Sequence, residues 1–566
     1  MKPIIRKSLL SLLVIIISFS IFVLTTHVEA QDTVLQAYLV GMIEDRQNEP
    51  IVGAEVILQD ADNGEDLAAT ETESDGRFAL PIPPQIPEAV SVHIERSHFE
   101  NFATPLEVSS IEQLEQGESL TLPTVTLERK ITPAFWVAAV VFLAVLVLIA
   151  TGLFHNTLAT LIGVTLVFGF SYLGTLVSDG LFIFDFERSL QYVDWNVIFL
   201  IMGMMIVIAV VEDTGIFQWL AFIAYRLSQG RAYVLLPILM LFTGVASAFL
   251  DNVTTMLLMT PITVQIALAM GINPLALLIP EVMASNVIGV STLVGTPTNI
   301  LIGSFAEISF NDFLINLTPG VLIAFVGLVL YTAFIYRQDL READEPSEML
   351  MERLAERGKI EDTENLMKAG VVFAGMIVLF VLGEQFHLLP AVTALMGATA
   401  LLVWIRPDIE AMIEAVDWTT LVFFLALFIT VGAIQEVGLI SIIADLVGRL
   451  VGESIVLAMV GVTVFSAVLS TVIANIPFTA AMLPVVAFLS RTVPGAESKM
   501  LFYCLSVGAA MGGNGSLIGA SANMVTAGIA DSAGYPITYG YFLKKGFPAL
   551  LITVALAMIW LLIRFL

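Results

Sequence analysis

Ser247-Ala248-Phe249-Leu250-Asp251-Asn252-Val253-Thr254-Thr255 stands between two long apolar runs. A carboxylate and an amide facing hydrocarbon at that depth would cost several kcal/mol. Asp251 and Asn252, with Thr254 and Thr255 beside them, are therefore expected to line a protein-walled, hydrated pocket. A second stretch has the same character: Ser470-Thr471-Val472-Ile473-Ala474-Asn475-Ile476-Pro477-Phe478-Thr479. The asparagine and a nearby threonine recur there, but the aspartate does not. Amides can also act as glue between helices. Their recurrence at equivalent breaks, with Pro477 freeing backbone groups, favours a binding site.

Outward from these breaks, each half of the chain carries a second, glycine-rich break. The first runs Ser285-Asn286-Val287-Ile288-Gly289-Val290-Ser291-Thr292-Leu293-Val294-Gly295-Thr296-Pro297-Thr298-Asn299, and its partner runs Gly512-Gly513-Asn514-Gly515-Ser516-Leu517-Ile518-Gly519-Ala520-Ser521-Ala522-Asn523. Glycines let a helix unwind and present carbonyls, amides and hydroxyls, while the exposed half-helix ends serve cations or anions. Close packing of small residues is the competing reading; it does not require asparagine at the matched positions 299 and 523. Glu281, after Pro280, is a further acid at the head of an apolar run, and both an intramembrane and a headgroup-level position are open for it.

The breaks belong to a larger repeat. At an almost constant offset, Val193-Asp194-Trp195 matches Val416-Asp417-Trp418, Gly215 matches Gly438, Asn252 matches Asn475, and Met259 and Pro261 match Met482 and Pro484. One residue further in register, Gly295 and Asn299 match Gly519 and Asn523; Pro319 then falls on Pro548 after a small insertion. Secondary transporters build alternating access from two such halves, with the site near mid-membrane between broken helices. Asp194 and Asp417, each ahead of a tryptophan, fit an interfacial boundary.

Composition agrees. The 566 residues are 57% hydrophobic and 13% charged, and the mean hydropathy is +0.91, so lipid is the main solvent. The net charge of -27 comes from 51 acidic against 24 basic residues. It argues against a nucleic-acid partner, since a polyanion would be repelled. Cys504 is the single cysteine, which leaves no intramolecular disulfide framework and reads as a small core residue. Apolar spans are expected at 133–154, 157–178, 195–212, 216–228, 232–270, 275–305 and 318–336, then at 370–386, 389–405, 418–435, 439–451, 454–490, 500–530 and 546–565. Arg226, Arg231 and the basic residues of the segment 337–368 place those loops in the cytoplasm.

The first 30 residues have the parts of a secretory signal: Lys2, Arg6 and Lys7, an apolar run from Leu9 to Leu24, then Val28-Glu29-Ala30. An uncleaved anchor is the rival reading, since the run spans about 25 Å. Both export residues 31–130. Strands are expected there at Tyr38–Ile43, Glu55–Leu58, Arg77–Leu80, Val90–Ile94 and Leu120–Leu127, with turns at Asn63-Gly64 and Asp75-Gly76, giving a small β sandwich. The stretches Pro50 to Val56 and Ser74 to Phe78 resemble the carboxypeptidase-regulatory-like domain, which implies a structural role. The acidic surface reads as solvated, and His93 and His98 lack the further ligands of a metal site.

Gly203 to Pro261, Glu281 to Asn286 and Gly512 to Ala530 resemble the ArsB/NhaD permease family of the ion transporter superfamily, which has a citrate transporter-like domain, and come close to the melanosomal P protein. The resemblance covers nearly all of residues 135–566. It implies a mainly α, polytopic membrane protein: two inverted repeats with re-entrant hairpins and broken helices, here preceded by the small extracytoplasmic β sandwich. By this likeness Asp251, Asn252 and Thr255 sit at one hairpin tip, Asn475 and Thr479 at the other, with Gly295 to Asn299 and Gly519 to Asn523 as the facing unwound loops. Two departures remove carboxylates, because Ala474 and Thr296 stand where the family usually has aspartate. Asp251 is left as the main acid for coupling, and the Gly295-Thr296-Pro297 form is nearer to carriers of carboxylate anions.

The resulting expectations are these. The domains are 1–30 signal peptide, 31–130 β sandwich, 131–336 first membrane repeat, 337–369 charged cytoplasmic linker and 370–566 second membrane repeat. The chain is a secondary active transporter of a small ion, an antiporter by its resemblance, coupled to Na+ or H+, in the cell (inner) membrane. Na+ is expected near Asp251, Asn252 and Gly295, and substrate contacts are expected from the remaining polar residues of the breaks: Thr254, Thr255, Ser285, Asn286, Thr292, Thr296, Asn299, Asn475, Thr479, Asn514, Ser516, Gly519, Ser521 and Asn523. Partners are the small ion, the lipid bilayer and a second copy of the chain. The alternatives are a cation-coupled carrier of citrate, a dicarboxylate or another oxyanion such as arsenite or sulfate, and a membrane-anchored binding or sensing protein. With no GxxxxGK[ST] loop, no CxxC and no hydrolase constellation, neither an enzyme nor a further cofactor is expected.

Overall fold

The computed structural model describes residues 37–46, 49–341, 362–452 and 454–566. The expected signal peptide and residues 342–361 of the linker lie outside the described residues. The chain divides into two compact units, Met1–Lys130 and Ile131–Leu566.

In the first unit, strands that alternate apolar and polar residues form two four-stranded sheets. β1 (Tyr38–Asp45) lies between antiparallel β4 (Arg77–Pro81) and parallel β7 (Leu120–Thr121) and β8 (Val125–Leu127). The other sheet runs β3 (Asp66–Glu71), β2 (Glu55–Asp60), β5 (Val90–Glu95), β6 (Phe102–Pro105), all antiparallel. Leu39, Ile43, Val56, Leu58, Leu80, Val92 and Ile94 fill the core between them. β3 and β6 were not expected from the sequence: each is an edge strand with one neighbour, so neither needs the apolar alternation of an inner strand. The expected strand Leu120–Leu127 is split in two around Pro123, which lacks the N–H a ladder requires. A short helix, α1 (Val108–Glu115), was also not foreseen.

The second unit is helical, and eight of its helical segments are long and apolar enough to cross a membrane among the described residues. The first repeat comprises α2 (Pro133–Thr151), α3 (Asn156–Phe168), α4 (Phe186–Gln191), α5 (Trp195–Glu212), α6 (Ile216–Ser228), α7 (Ala232–Ser247), α8 (Asn252–Ala269), α9 (Leu275–Ile288), α10 (Pro297–Phe305) and α11 (Phe310–Ile335). The second repeats the order: α12 (Thr363–Leu382), α13 (Pro390–Ile405), α14 (Ile409–Glu414), α15 (Trp418–Glu436), α16 (Leu439–Val451), α17 (Ile455–Ser470), α18 (Asn475–Thr492), α19 (Met500–Gly512), α20 (Ser521–Ser532) and α21 (Tyr539–Phe565). Packing obeys the same equivalence. α5 lies on α13 and α15 on α3; α8 lies on α20 and α18 on α10; α11 lies on α21.

Helix starts follow capping chemistry more closely than hydropathy. α11 begins at Phe310, ahead of the expected 318, because Ser309 and Asp312 form a capping box. α21 begins at Tyr539, ahead of 546, with the Thr538 hydroxyl accepting from the Tyr541 N–H. Asp194 and Asp417 cap α5 and α15 in the same way: each carboxylate accepts backbone N–H groups of the first turn. α4 and the C-terminal end of α15 are joined across the repeats by a half-buried ion pair, Arg188 Nε to Glu436 Oε2 at 3.2 Å, and Tyr192 OH donates to the same oxygen.

Candidate functional site

Each repeat docks its hairpin tip onto its broken helix through the same contacts. In the first, Ser247 Oγ donates to the Ser285 carbonyl at 3.1 Å, and Thr292 Oγ1 donates to the Ala248 carbonyl. In the second, Ser470 Oγ donates to the Ala509 carbonyl at 2.6 Å and Ser516 Oγ to the Thr471 carbonyl at 2.5 Å. After α9 the chain makes a tight turn at Gly289–Ser291, then bends between Thr292 and the cap Thr296, which is extended at φ -142° and ψ 143°. After α19 it turns at Gly513–Gly515 and reaches Ala520 at φ -142° and ψ 141°. The loops are held by Asn299, whose Nδ2 donates to the carbonyls of Val290 at 2.9 Å and Thr292 at 2.7 Å, and by Asn523, whose Nδ2 donates to those of Gly513 at 2.8 Å and Ser516 at 2.9 Å.

The glycines serve this close crossing. A Cβ on Gly295 would fall 2.4 Å from the Gly289 carbonyl oxygen and 2.8 Å from that of Ser247; on Gly519 it would fall 2.9 Å from those of Gly513 and Ser470. Both readings of the glycine-rich breaks therefore meet here, since small residues let unwound backbone approach unwound backbone.

Between the repeats lies a chain of buried amides. Asn252 Nδ2 donates to Asn286 Oδ1 at 2.8 Å. Asn286 Nδ2 donates in turn to Asn514 Oδ1 at 2.9 Å and Asn523 Oδ1 at 3.1 Å, and Asn514 Nδ2 donates to the Met283 carbonyl at 3.2 Å. All four are at most 4% exposed. The N-terminal ends of α8 and α20, the C-terminal part of α9 and the turn after α19 thus adjoin at one place. Ser506 on α19 donates to Asn299 Oδ1 at 2.6 Å, tying α10 to the second repeat.

Not every expected residue joins this network. Asp251 is half-buried and caps α8: its Oδ1 accepts from the Val253 N–H at 2.7 Å and the Thr254 N–H at 3.2 Å, and Thr254 Oγ1 donates to Oδ2. Thr255 and Thr479 turn back on their own helices, donating to the carbonyls of Asp251 and Asn475. Thr296 caps α10 and lies 3.0 Å from Thr298 Oγ1. Among the described residues the side chains of Asn475 and Ser521 make no hydrogen bond, although Asn475 is 5% exposed. Sequence reading missed Ser247, Ser470 and Ser506 as contributors. The match of Ser247 with Ser470 was the available signal for the first two; for Ser506 there was none.

Two broken-helix repeats that meet at buried amides in an apolar, multi-pass helical unit define a membrane transport protein. A family model described as citrate transporter matches residues 145–503, and the chain belongs to that family. An uncharacterized transporter of Mycobacterium tuberculosis is 37% identical over 430 residues, covering 76% of this chain and 98% of that protein. An uncharacterized transporter of Synechocystis is 32% identical, over 74% of this chain and 96% of its own length. The human P protein is 29% identical, over 84% of this chain and 64% of its own length.

Proposed function

We propose that the chain is a secondary active transporter that moves a small ion across the cell membrane, coupled to Na+ or H+, with its binding site at the amide network between the repeats. The observation that carries this reading is the Asn252–Asn286–Asn514–Asn523 chain. Buried amides shared by two helix breaks give a passenger both donors and acceptors. They also link the two repeats whose relative movement would expose it to either side. The coupling cation is held at the hairpin tip by the Asp251 carboxylate, the one acid at either tip. Residues 31–130 face the extracytoplasmic side.

A second reading, a cation-coupled carrier of an oxyanion such as a carboxylate, is supported by the caps. α8 and α10 are capped by Asp251 and Thr296, but α18 and α20 start after Ala474 and Ala520 without a side-chain cap. Pro477 has no N–H and that of Asn523 donates to the Ala520 carbonyl, which leaves Asn475 and Ile476 on α18 and Ser521 and Ala522 on α20 as first-turn donors for an anion. Flux into proteoliposomes of the full chain, with citrate, succinate, arsenite and sulfate as competitors and Na+ or proton gradients imposed separately, tests both. Gradient-driven cation flux untouched by those anions supports the exchanger, and saturation by one of them alone supports the carrier. No gradient-dependent flux of any ion would overturn both readings.

A further inference from the structure

Glu281 has no place in the network above, yet it is fully buried, at 0% exposure in the middle of α9. Its Oε1 accepts from Thr243 Oγ1 at 2.6 Å. Its Oε2 has no hydrogen-bond partner, and the buried Thr263 hydroxyl on α8 faces the same carboxylate without closing a bond to it. An ionised carboxylate with one bare oxygen in a low-dielectric interior costs several kcal/mol unless a cation or a proton compensates it.

No side-chain cation does so. α7 and α8, which flank the site, bring only Tyr233 and the cap Asp251. The other elements packed on α9 bring Asp312 and Tyr331 on α11, Tyr503 and Cys504 on α19, Asp531 on α20, and on α21 Lys544, Lys545, Arg564 and the tyrosines 539 and 541. None of these forms an ion pair or hydrogen bond with Glu281 among the described residues.

Position adds a second argument. Thr243 with Glu281 is the first rung of a ladder between the hairpin and α9. Ser247 with Ser285, Oγ to Oγ at 2.9 Å, is the next, and Asn252 with Asn286 follows. The repeat carries no counterpart. The matched positions are Ser466 with Leu505, Ser470 with Ala509, and Asn475 with Ala510, and the buried Ser466 hydroxyl is left unpaired. A carboxyl needed only to pack the hairpin on the broken helix would recur in both halves. This one does not.

We infer that Glu281, with Thr243 and Thr263, is a proton-binding site of the first repeat, distinct from the Asp251 tip and coupled to the amide network through the Ser247–Ser285 rung. The proton adds to Oε2, neutralises the carboxylate and closes an O–H···Oγ1 bond onto Thr263. Its return to water restores the charge and opens that bond. This rests on the transport reading for its role in coupling, but proton binding itself is separable from it.

The experiment is infrared difference spectroscopy of the full chain in proteoliposomes across a pH titration, with flux measured in parallel at each pH. A carboxylic-acid carbonyl band that titrates in the wild type and is missing in Glu281→Gln is expected, together with loss of the response to an imposed proton gradient. An unchanged band and unchanged pH response in Glu281→Gln would overturn the site. If Glu281→Gln does not fold, Thr243→Val serves: a shifted band midpoint supports the site, and an unmoved midpoint overturns it. A titrating Glu281 band in a chain that moves no ion would sink the transport reading and leave the proton site standing.

Discussion

Asp251 caps α8, and a pair of substitutions separates that role from the proposed one in cation coupling. Asparagine caps a helix about as well as aspartate, whereas alanine forfeits about 1 kcal/mol. Asp251→Asn is therefore expected to keep the thermal unfolding midpoint near that of the wild type while cation-coupled flux is lost; Asp251→Ala should lower both. Wild-type coupling in Asp251→Asn proteoliposomes would remove Asp251 from the mechanism. Asn286 makes the opposite case, since its amide is bonded on both sides and every partner is buried. Asn286→Ala strands Asn252, Asn514 and Asn523 and is expected to cost about 1–3 kcal/mol for each group left unpaired. Asn475→Ala, which breaks no side-chain bond, should cost much less. Equal losses for the two in a thermal unfolding series would contradict the network as described.

At the scale of elements, the docking of hairpin on broken helix depends on carbonyls that pass each other at glycine. Gly295→Ala puts a Cβ 2.4 Å from one backbone oxygen, against 2.9 Å for Gly519→Ala. Both should destabilise by about 1–3 kcal/mol through overpacking, the first more than the second. Gly461, on α17, has open space where its Cβ would be, so Gly461→Ala is the control and should be neutral or stabilising. Thermal unfolding of the three variants in one detergent gives the ranking, and a Gly295→Ala protein as stable as the Gly461→Ala protein would refute the close crossing. These breaks could be read from sequence because glycine, asparagine and proline act on the backbone within a few residues. The early start of α11 was not, although its capping box is local, because hydropathy alone outlines only the part of a helix that sits in lipid.

At the scale of the whole molecule, the swapped pairs α5 on α13 and α15 on α3 tie one repeat into the other, and Arg188 with Glu436 adds a half-buried charge pair between them. Arg188→Ala leaves Glu436, at 4% side-chain exposure, without that cation, and is expected to cost about 3–5 kcal/mol. The double variant Arg188→Ala with Glu436→Gln should recover most of the loss, and a thermal unfolding comparison decides it. The β unit has its own core, so a chain lacking residues 31–130 is expected to retain flux. Loss of flux in a properly inserted deletion protein would favour the binding or sensing alternative.

By itself the sequence determined that lipid is the main solvent, that the helical part is built twice, and where each copy breaks, because hydropathy and backbone-breaking residues act locally and a duplication leaves its mark residue by residue. It also marked Asn252, Asn286, Asn514 and Asn523 as polar groups needing partners. Only the tertiary structure decided which partners they have. Asn286 and Asn514 have no asparagine at the matching position of the other repeat, and their bond joins segments more than two hundred residues apart, so no periodicity could pair them. The burial of Glu281 was decided in the same way: it is set by the helices that close around a side chain, and those come from elsewhere in the chain.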